Sequence, residues 1–163
     1  MSQNPDTVDV LTADHDTIRR LFDAFKLMGE QAACDSERGA MVTRICQAFG
    51  IHIQLESELF YPAVRAATEE AALMDRADAA QLATKELIAE LMAMNPHDAG
   101  YDGKVTELST ALARHAQQQE GEVFPLARAA GVDLVALRAH LEERQHELRD
   151  QQPKVQDSPA QAG

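Results

Sequence analysis

Apolar residues recur along this chain at steps of three and four residues, the spacing that places them on one face of an α-helix. In the first such segment, residues 8–28, that face carries Leu11, Ile18, Phe22 and Phe25. Four further segments repeat the pattern, at about residues 36–67, 70–94, 102–129 and 133–150. No segment alternates apolar and polar residues for the length of a strand, so we predict no β-sheet.

The connections between these predicted helices are short and contain glycine or proline, such as Gly29, Pro96 and Gly131. Four long amphipathic helices on short loops predict an all-α fold, an antiparallel up-down-up-down four-helix bundle with a short additional C-terminal helix. We expect residues 1–7 to be a flexible N-terminus, residues 8–130 the bundle, residues 131–150 the C-terminal helix and residues 151–163 a disordered tail.

Composition and charge narrow the functional classes. The 163 residues suit a single domain, and 27 acidic against 15 basic residues give a formal net charge of −12. This charge argues against binding to nucleic acid or to an anionic membrane. The two cysteines, Cys34 and Cys46, form no disulfide framework, and the start of the chain resembles no signal peptide. We therefore expect a cytoplasmic protein with reduced thiols.

Two segments of the chain resemble each other. The sequences FYPAVRAA, beginning at Phe60, and VFPLARAA, beginning at Val123, share the pattern Pro-x-x-Arg-Ala-Ala. A histidine precedes each proline by ten residues, and these histidines are His52 and His115. We interpret the two segments as an internal repeat of helical hairpins, in which each proline kinks or ends its helix beyond the histidine.

Three histidines fall in step with the apolar faces of three different predicted helices: His15, His52 and His115. Glu56 follows His52 by four residues, a rotation of about 40° around a helix, so both side chains point the same way. A single inward histidine is usually a hydrogen-bonded core residue. Three from separate helices beside a carboxylate favour a shared metal site, because imidazole nitrogen and carboxylate oxygen suit iron, manganese or zinc.

These residues resemble the motifs of the hemerythrin-like (HHE cation-binding) domain family. The resemblance covers about residues 8–130 and rests on Asp14-His15, on His52-x-x-x-Glu56 with Phe60-Tyr61-Pro62, and on His115 with Glu120 and Phe124-Pro125. It implies an antiparallel four-helix bundle around a non-haem di-iron centre. It also implies a protein that binds dioxygen, handles nitric oxide, senses redox state or serves in iron–sulfur repair.

Carried over residue by residue, the resemblance implies five metal ligands. His15 and His52 would be terminal ligands of one iron, and His115 would bind the second. Glu56 and Glu120 would be the bridging carboxylates. Helix geometry alone places Gln119 on the side of His115 and Glu120 about 140° away, so a local helix distortion would help Glu120 to reach the site.

The third helix departs from the family pattern, because Ala80 and Thr84 stand where the family has histidines. Glu86 and Glu90 could supply carboxylates instead, although they are out of step with the apolar face. The second metal position therefore keeps only His115 and the shared carboxylates. It can be empty, completed by water or an outside ligand, or filled by zinc or manganese, so we expect one or two iron ions in an asymmetric or mononuclear site.

Three functions remain open at this point. The first is a non-enzymatic protein that binds or senses dioxygen, nitric oxide or redox state, with a small diatomic ligand or peroxide as its partner. The second is a non-haem iron oxidoreductase that acts on peroxide or nitric oxide. The third is a structural or regulatory descendant that has lost the metal, which the third helix without histidines favours.

Overall fold

The computed structural model describes residues 4–155, and over that range it contains helices and loops without a strand. Two π-helical turns, π1 (Glu56–Phe60) and π2 (Gln119–Val123), join pairs of α-helices into two long continuous segments. The seven α-helices are α1 (Thr7–Glu30), α2 (Asp35–Leu55), α3 (Tyr61–Ala67), α4 (Ala71–Ala93), α5 (Tyr101–Gln118), α6 (Phe124–Ala129) and α7 (Leu134–Gln151).

The predicted all-α bundle is confirmed. Its four long members are α1, the segment α2–π1–α3, α4 and the segment α5–π2–α6, and α7 packs against α1, α2 and π1. Within residues 4–155, no helix is long and apolar enough to cross a membrane.

The start of α1 is tied to the rest of the fold. The carboxylate of Asp6 accepts hydrogen bonds from the backbone N–H groups of Val8 and Asp9 in the first turn of α1. It also forms an ion pair with Arg128 at 2.8 Å. The hydroxyl of Thr7 donates to the carbonyl of Leu134 at 2.7 Å. Both residues belong to the segment predicted to be flexible. Residues 1–3 of that segment, and residues 156–163 of the predicted tail, lie outside the described residues.

The apolar faces form two clusters with a polar layer between them. Along α1, Leu11 belongs to one cluster, Ile18 belongs to the other, and His15 lies between them. Large buried side chains fill both clusters, for example Phe60 in the cluster of Leu11 and Phe49 in the cluster of Ile18. The buried polar residues of the layer are His15, His52, Glu56, Gln81, Thr84, His115 and Gln119.

Each π turn ends just before one of the repeated prolines. The N–H of Tyr61 donates to the carbonyl of Glu56, and the N–H of Phe124 donates to that of Gln119, five residues back. A proline lacks an N–H, and its ring collides with the carbonyl four residues earlier in a regular helix. The wider turn lets the helix continue past the proline. Each helix is therefore distorted beyond its histidine but does not end there.

Candidate metal centre

Four buried side chains from three segments of the bundle converge in the polar layer: His15, His52, Glu56 and His115. One ligand atom from each lies within 4.8 Å of the others. Their exposed fractions are only 0, 1, 0 and 7%, respectively. The structure thus brings together four of the five ligands that the sequence predicts, and we call them the His/Glu cluster.

The three imidazoles of the cluster present the same nitrogen inward. Nε2 of His52 lies 3.2 Å from Nε2 of His15 and 3.1 Å from Nε2 of His115. The carboxylate of Glu56 contacts His52 Nε2 at 3.0 Å and His115 Nε2 at 3.2 Å. Two ligand atoms about 2.1 Å from one cation lie about 3.0–3.2 Å apart when they subtend about 90–100° at it. These four contacts therefore have the separation expected between neighbouring ligands of one small metal ion, within a set whose atoms spread over at most 4.8 Å.

The outer nitrogens of two of these rings contact carboxylates. Nδ1 of His52 lies 3.2 Å from Asp14 Oδ2, and Nδ1 of His15 lies 3.3 Å from Glu120 Oε1. Because an ionised carboxylate only accepts hydrogen bonds, each of these contacts requires a proton on Nδ1, and Nε2 is then the nitrogen that would bind a metal ion once the ring is neutral. A carboxylate behind an imidazole also orients the ring and raises its basicity as a metal ligand.

The electrostatics of the cluster couple Glu56 to the histidines. Burial alone would lower the pKa of His52, but Glu56 and Asp14 outweigh it and raise that pKa to about 9. Burial likewise opposes ionisation of Glu56, yet His52 and His115 hold the pKa of Glu56 well below its ordinary value. Burial, followed by the charges of His52 and His115, lowers the pKa of His15 to about 4. A protonated His52 thus balances an ionised Glu56 near neutral pH, and a metal cation would displace that proton.

Glu120 does not join the His/Glu cluster. Its side chain is 48% exposed and touches the outer nitrogen of His15 rather than the inward one. The physical reason is the position of π2, which begins only at Gln119, four residues after His115. Up to that point the chain is regular α-helix, so the distortion comes too late to turn Glu120 inward.

Gln119 takes the inward position instead. Its Nε2 donates to Oε1 of Glu56 and, at 3.0 Å, to the hydroxyl of Tyr61. Its Oε1 lies 3.1 Å from Nε2 of His15. This oxygen faces the same point as the three imidazoles and is a further candidate ligand that sequence reasoning did not propose.

The internal repeat could have revealed Gln119. His52 contacts His115, and Glu56 contacts Gln119, and in each pair the two residues are 63 positions apart. Repeat-related residues therefore face each other across the bundle. The second repeat carries an amide where the first carries a carboxylate, which leaves one buried negative charge instead of two.

The third long helix, α4, supplies hydrogen-bonding side chains to the layer. The apolar pattern of this helix predicts that Ala80 and Thr84 both face inward; for Ala80 this is wrong, because Ala80 is exposed and Gln81 is buried in its place. Gln81 Nε2 donates to Glu56 Oε2 at 2.7 Å, while its Oε1 accepts from Ser57 at 2.6 Å. The hydroxyl of Thr84 donates to the carbonyl of Ala80 at 3.0 Å.

The acidic residues of α4 lie away from the cluster. Glu86 and Glu90 are both exposed, and Glu90 pairs with Lys104 at 2.9 Å. Among the described residues, α4 therefore contributes no nitrogen or carboxylate ligand to the His/Glu cluster.

Comparison with known proteins agrees with this architecture. A solved structure that matches the chain is the crystal structure of a hemerythrin HHE cation binding domain-containing protein, a homologue of Rv2633c from Mycobacterium kansasii. The match has a TM-score of 0.73 over 90% of this chain and 88% of that chain. At 23% sequence identity this likeness shows the fold. None of the curated proteins matches this chain significantly.

The family model of the hemerythrin HHE cation binding domain matches residues 6–127, which contain the whole His/Glu cluster. This chain therefore belongs to the hemerythrin HHE cation-binding domain family.

Proposed function

We propose that this protein binds a non-haem iron ion through the His/Glu cluster and there binds or senses dioxygen, nitric oxide or redox state. The observation that carries the proposal is the convergence of three imidazole nitrogens and one carboxylate within 4.8 Å in a buried layer. Such a set of acceptor atoms is unfavourable unless a proton or a cation lies among them. Imidazole and carboxylate donors suit iron, and they also accept zinc or manganese.

The donor set favours one ion, in a mononuclear or strongly asymmetric site. A second ion would have to draw on Glu56 and His115, which the first ion already uses. From α4 it would find only Gln81 and Thr84, whose polar atoms are engaged in hydrogen bonds. This is the expected consequence of a third helix without histidines.

The residues around the His/Glu cluster orient its imidazoles and flank them with aromatic rings. Asp14 and Glu120 orient the imidazoles of His52 and His15 from outside. The ring of Phe124 stacks on His15 with 6.2 Å between the ring centroids, and that of Phe49 lies 5.9 Å from His115, so aromatic rings flank the site on two sides. A bound iron ion would supply an open coordination position and a change of oxidation state. We further propose a cytoplasmic setting, which the two free cysteines favour.

Metal analysis of protein purified from iron-replete cells tests this proposal. We expect about one iron per chain. His15→Ala and His52→Ala should lower the metal content and the thermal stability together, because a metal that binds only the folded state stabilises it. The control is His146→Ala, whose side chain is 80% exposed on α7 and which should retain the metal.

The other outcomes separate the alternatives. Unchanged metal content in both cluster variants would refute the ligand assignment. A protein without metal that also fails to bind iron on reconstitution would be a descendant that has lost the site. Turnover of peroxide that disappears in His52→Ala would identify an oxidoreductase. A change in the absorption spectrum of the ferrous protein on addition of nitric oxide is the result expected for a sensor.

A further inference from the structure

The outer nitrogen of His115 lacks the carboxylate partner that His15 and His52 have. Its Nε2 faces the cluster, and Nδ1 makes no hydrogen bond to any of residues 4–155. No buried side-chain nitrogen or oxygen in that range is without a partner, so Nδ1 must reach solvent. His115 is otherwise buried, with 7% of its surface exposed. A polar group of the cluster is thus open to an external partner.

A groove runs between α4 and α5 beside His115. It has a volume of about 890 Å³, and His115 forms part of its wall. Small or apolar residues line much of the rest: Ala80, Ala83, Thr84, Leu87 and Ala111. A ligand in this groove can therefore pack its apolar part against these side chains while its polar end contacts His115.

The groove also carries one positive charge without a carboxylate partner. Arg114, which precedes His115 in the sequence, also lines the groove. It forms no ion pair with a carboxylate of residues 4–155. The two acidic residues of the groove are both paired. Glu107 contacts Lys104 at 3.0 Å, and Glu122 contacts Arg76 at 3.7 Å. In a chain of net charge −12, Arg114 is a local site for a single negative charge.

We propose that this groove binds a small monocarboxylate with a short alkyl chain. Its carboxylate accepts a hydrogen bond from Nδ1 of His115 and lies beside the guanidinium of Arg114. It thereby gives His115 the outer partner that Glu120 gives His15. Arg114, which has no carboxylate partner among the described residues, matches the single charge of a monoanion. A phosphate dianion would also be repelled by the nearby carboxylates of Glu107 and Glu122. Carboxylate binding does not require the metal, and only its effect on a bound metal rests on the proposed function.

The test uses the metal-free full chain, with hexanoate as the probe and with acetate and inorganic phosphate for comparison. Nitrogen-15 NMR of the histidine rings should show a shift of His115 Nδ1 as hexanoate is added. Hexanoate should bind more tightly than acetate, by up to about fourfold for each methylene that the wall buries. Phosphate should bind more weakly than hexanoate.

Two variants probe the two ends of the ligand. Arg114→Gln should weaken hexanoate binding about tenfold or more, because it removes a charge-assisted contact. The matched control is Arg20→Gln, an exposed arginine of α1 outside the groove, which should bind as the wild type does. Ala83→Leu fills the groove at an exposed position and should remove the preference for hexanoate over acetate, with the circular dichroism unchanged.

Several results would overturn the proposal. These are hexanoate binding that leaves the His115 ring unshifted, equal affinities in the Arg114→Gln and Arg20→Gln variants, and phosphate binding as tight as that of hexanoate. Absence of measurable binding would also overturn it. Because these samples contain no metal, a failure of the proposed iron site would leave the results unchanged. The two proposals can therefore fail separately.

Discussion

Replacement of Gln119 by glutamate tests the buried layer most directly. Gln119 is fully buried, and its Nε2 donates to Oε1 of Glu56 and to the hydroxyl of Tyr61. In Gln119→Glu, an oxygen replaces this nitrogen, so the hydrogen bond to Glu56 is lost and two carboxylates share a buried site, while the hydroxyl of Tyr61 can turn to donate to the new carboxylate. Metal-free protein should then become less stable, since like charges cannot both remain ionised there without cost.

The expected loss follows from the burial of the pair. A buried charge that loses its partner costs about 3–5 kcal/mol of unfolding free energy. For a chain of this size, each kcal/mol corresponds to about 2–4 °C in Tm, so the metal-free variant should melt about 6–20 °C lower. Bound metal should offset much of this loss, because the added carboxylate becomes a ligand. At a metal concentration of about 100 times Kd, linkage contributes about 2.7 kcal/mol.

Thermal melts followed by circular dichroism, first with a chelator and then with ferrous iron under anaerobic conditions, measure both effects. The matched control is Gln117→Glu, which adds the same charge at an exposed position of α5. It should change stability by no more than about 0.5 kcal/mol. Equal Tm values for the two metal-free variants would refute the buried contact with Glu56. A destabilised Gln119→Glu that iron does not rescue would refute its ability to act as a ligand.

Three further predictions concern other parts of the chain. Glu120→Gln should retain the metal stoichiometry of the wild type but weaken metal affinity about 10–100-fold, because Glu120 supports His15 from outside; equilibrium titration of the metal measures this. A thiol reagent at pH 8 should modify only the exposed Cys34 rapidly, since burial raises the pKa of Cys46 to about 12. Leu141→Ala on α7 should lower the unfolding free energy by about 2–5 kcal/mol in urea denaturation, because this side chain is completely buried.

Each of these predictions has a contrasting outcome. Loss of a metal equivalent in Glu120→Gln, but not in the equally charged Glu122→Gln, would make Glu120 a ligand after all. Two rapidly reacting thiols would contradict the burial of Cys46. Val135→Ala, at a site of α7 that is 56% exposed, should cost less than about 0.5 kcal/mol, and a cost equal to that of Leu141→Ala would contradict the packing of α7.

Local periodicity was sufficient to predict most of the fold. The buried face of α1 carries Leu11, Ile18, Phe22 and Phe25, as their spacing indicates. His15 occupies a position in the same series and is buried with them. This works because the α-helical period fixes the angle between residues of one helix without reference to any other part of the chain. The phase of each histidine was therefore available from the sequence alone.

The choice between neighbouring residues was decided by tertiary structure. The side chains of adjacent residues on a helix point in directions that differ by about 100°. Periodicity alone does not fix the rotation of a helix about its own axis to better than about this angle. Packing of α4 against the bundle buries Gln81 rather than Ala80. The placement of Gln119 inside and Glu120 outside, by contrast, is the one that the regular helical period gives, because the π turn begins only at Gln119.

The partners of the outer nitrogens also depend on the assembled bundle. Asp14 reaches His52 from another helix, and its carboxylate is held in turn by Gln145 of α7 at 3.2 Å. The groove beside His115 exists only where α4 meets α5. The sequence determined which residue types face the interior, because that is a property of each helix. Only the tertiary structure decided which atoms meet there, because distances between helices depend on how their side chains pack.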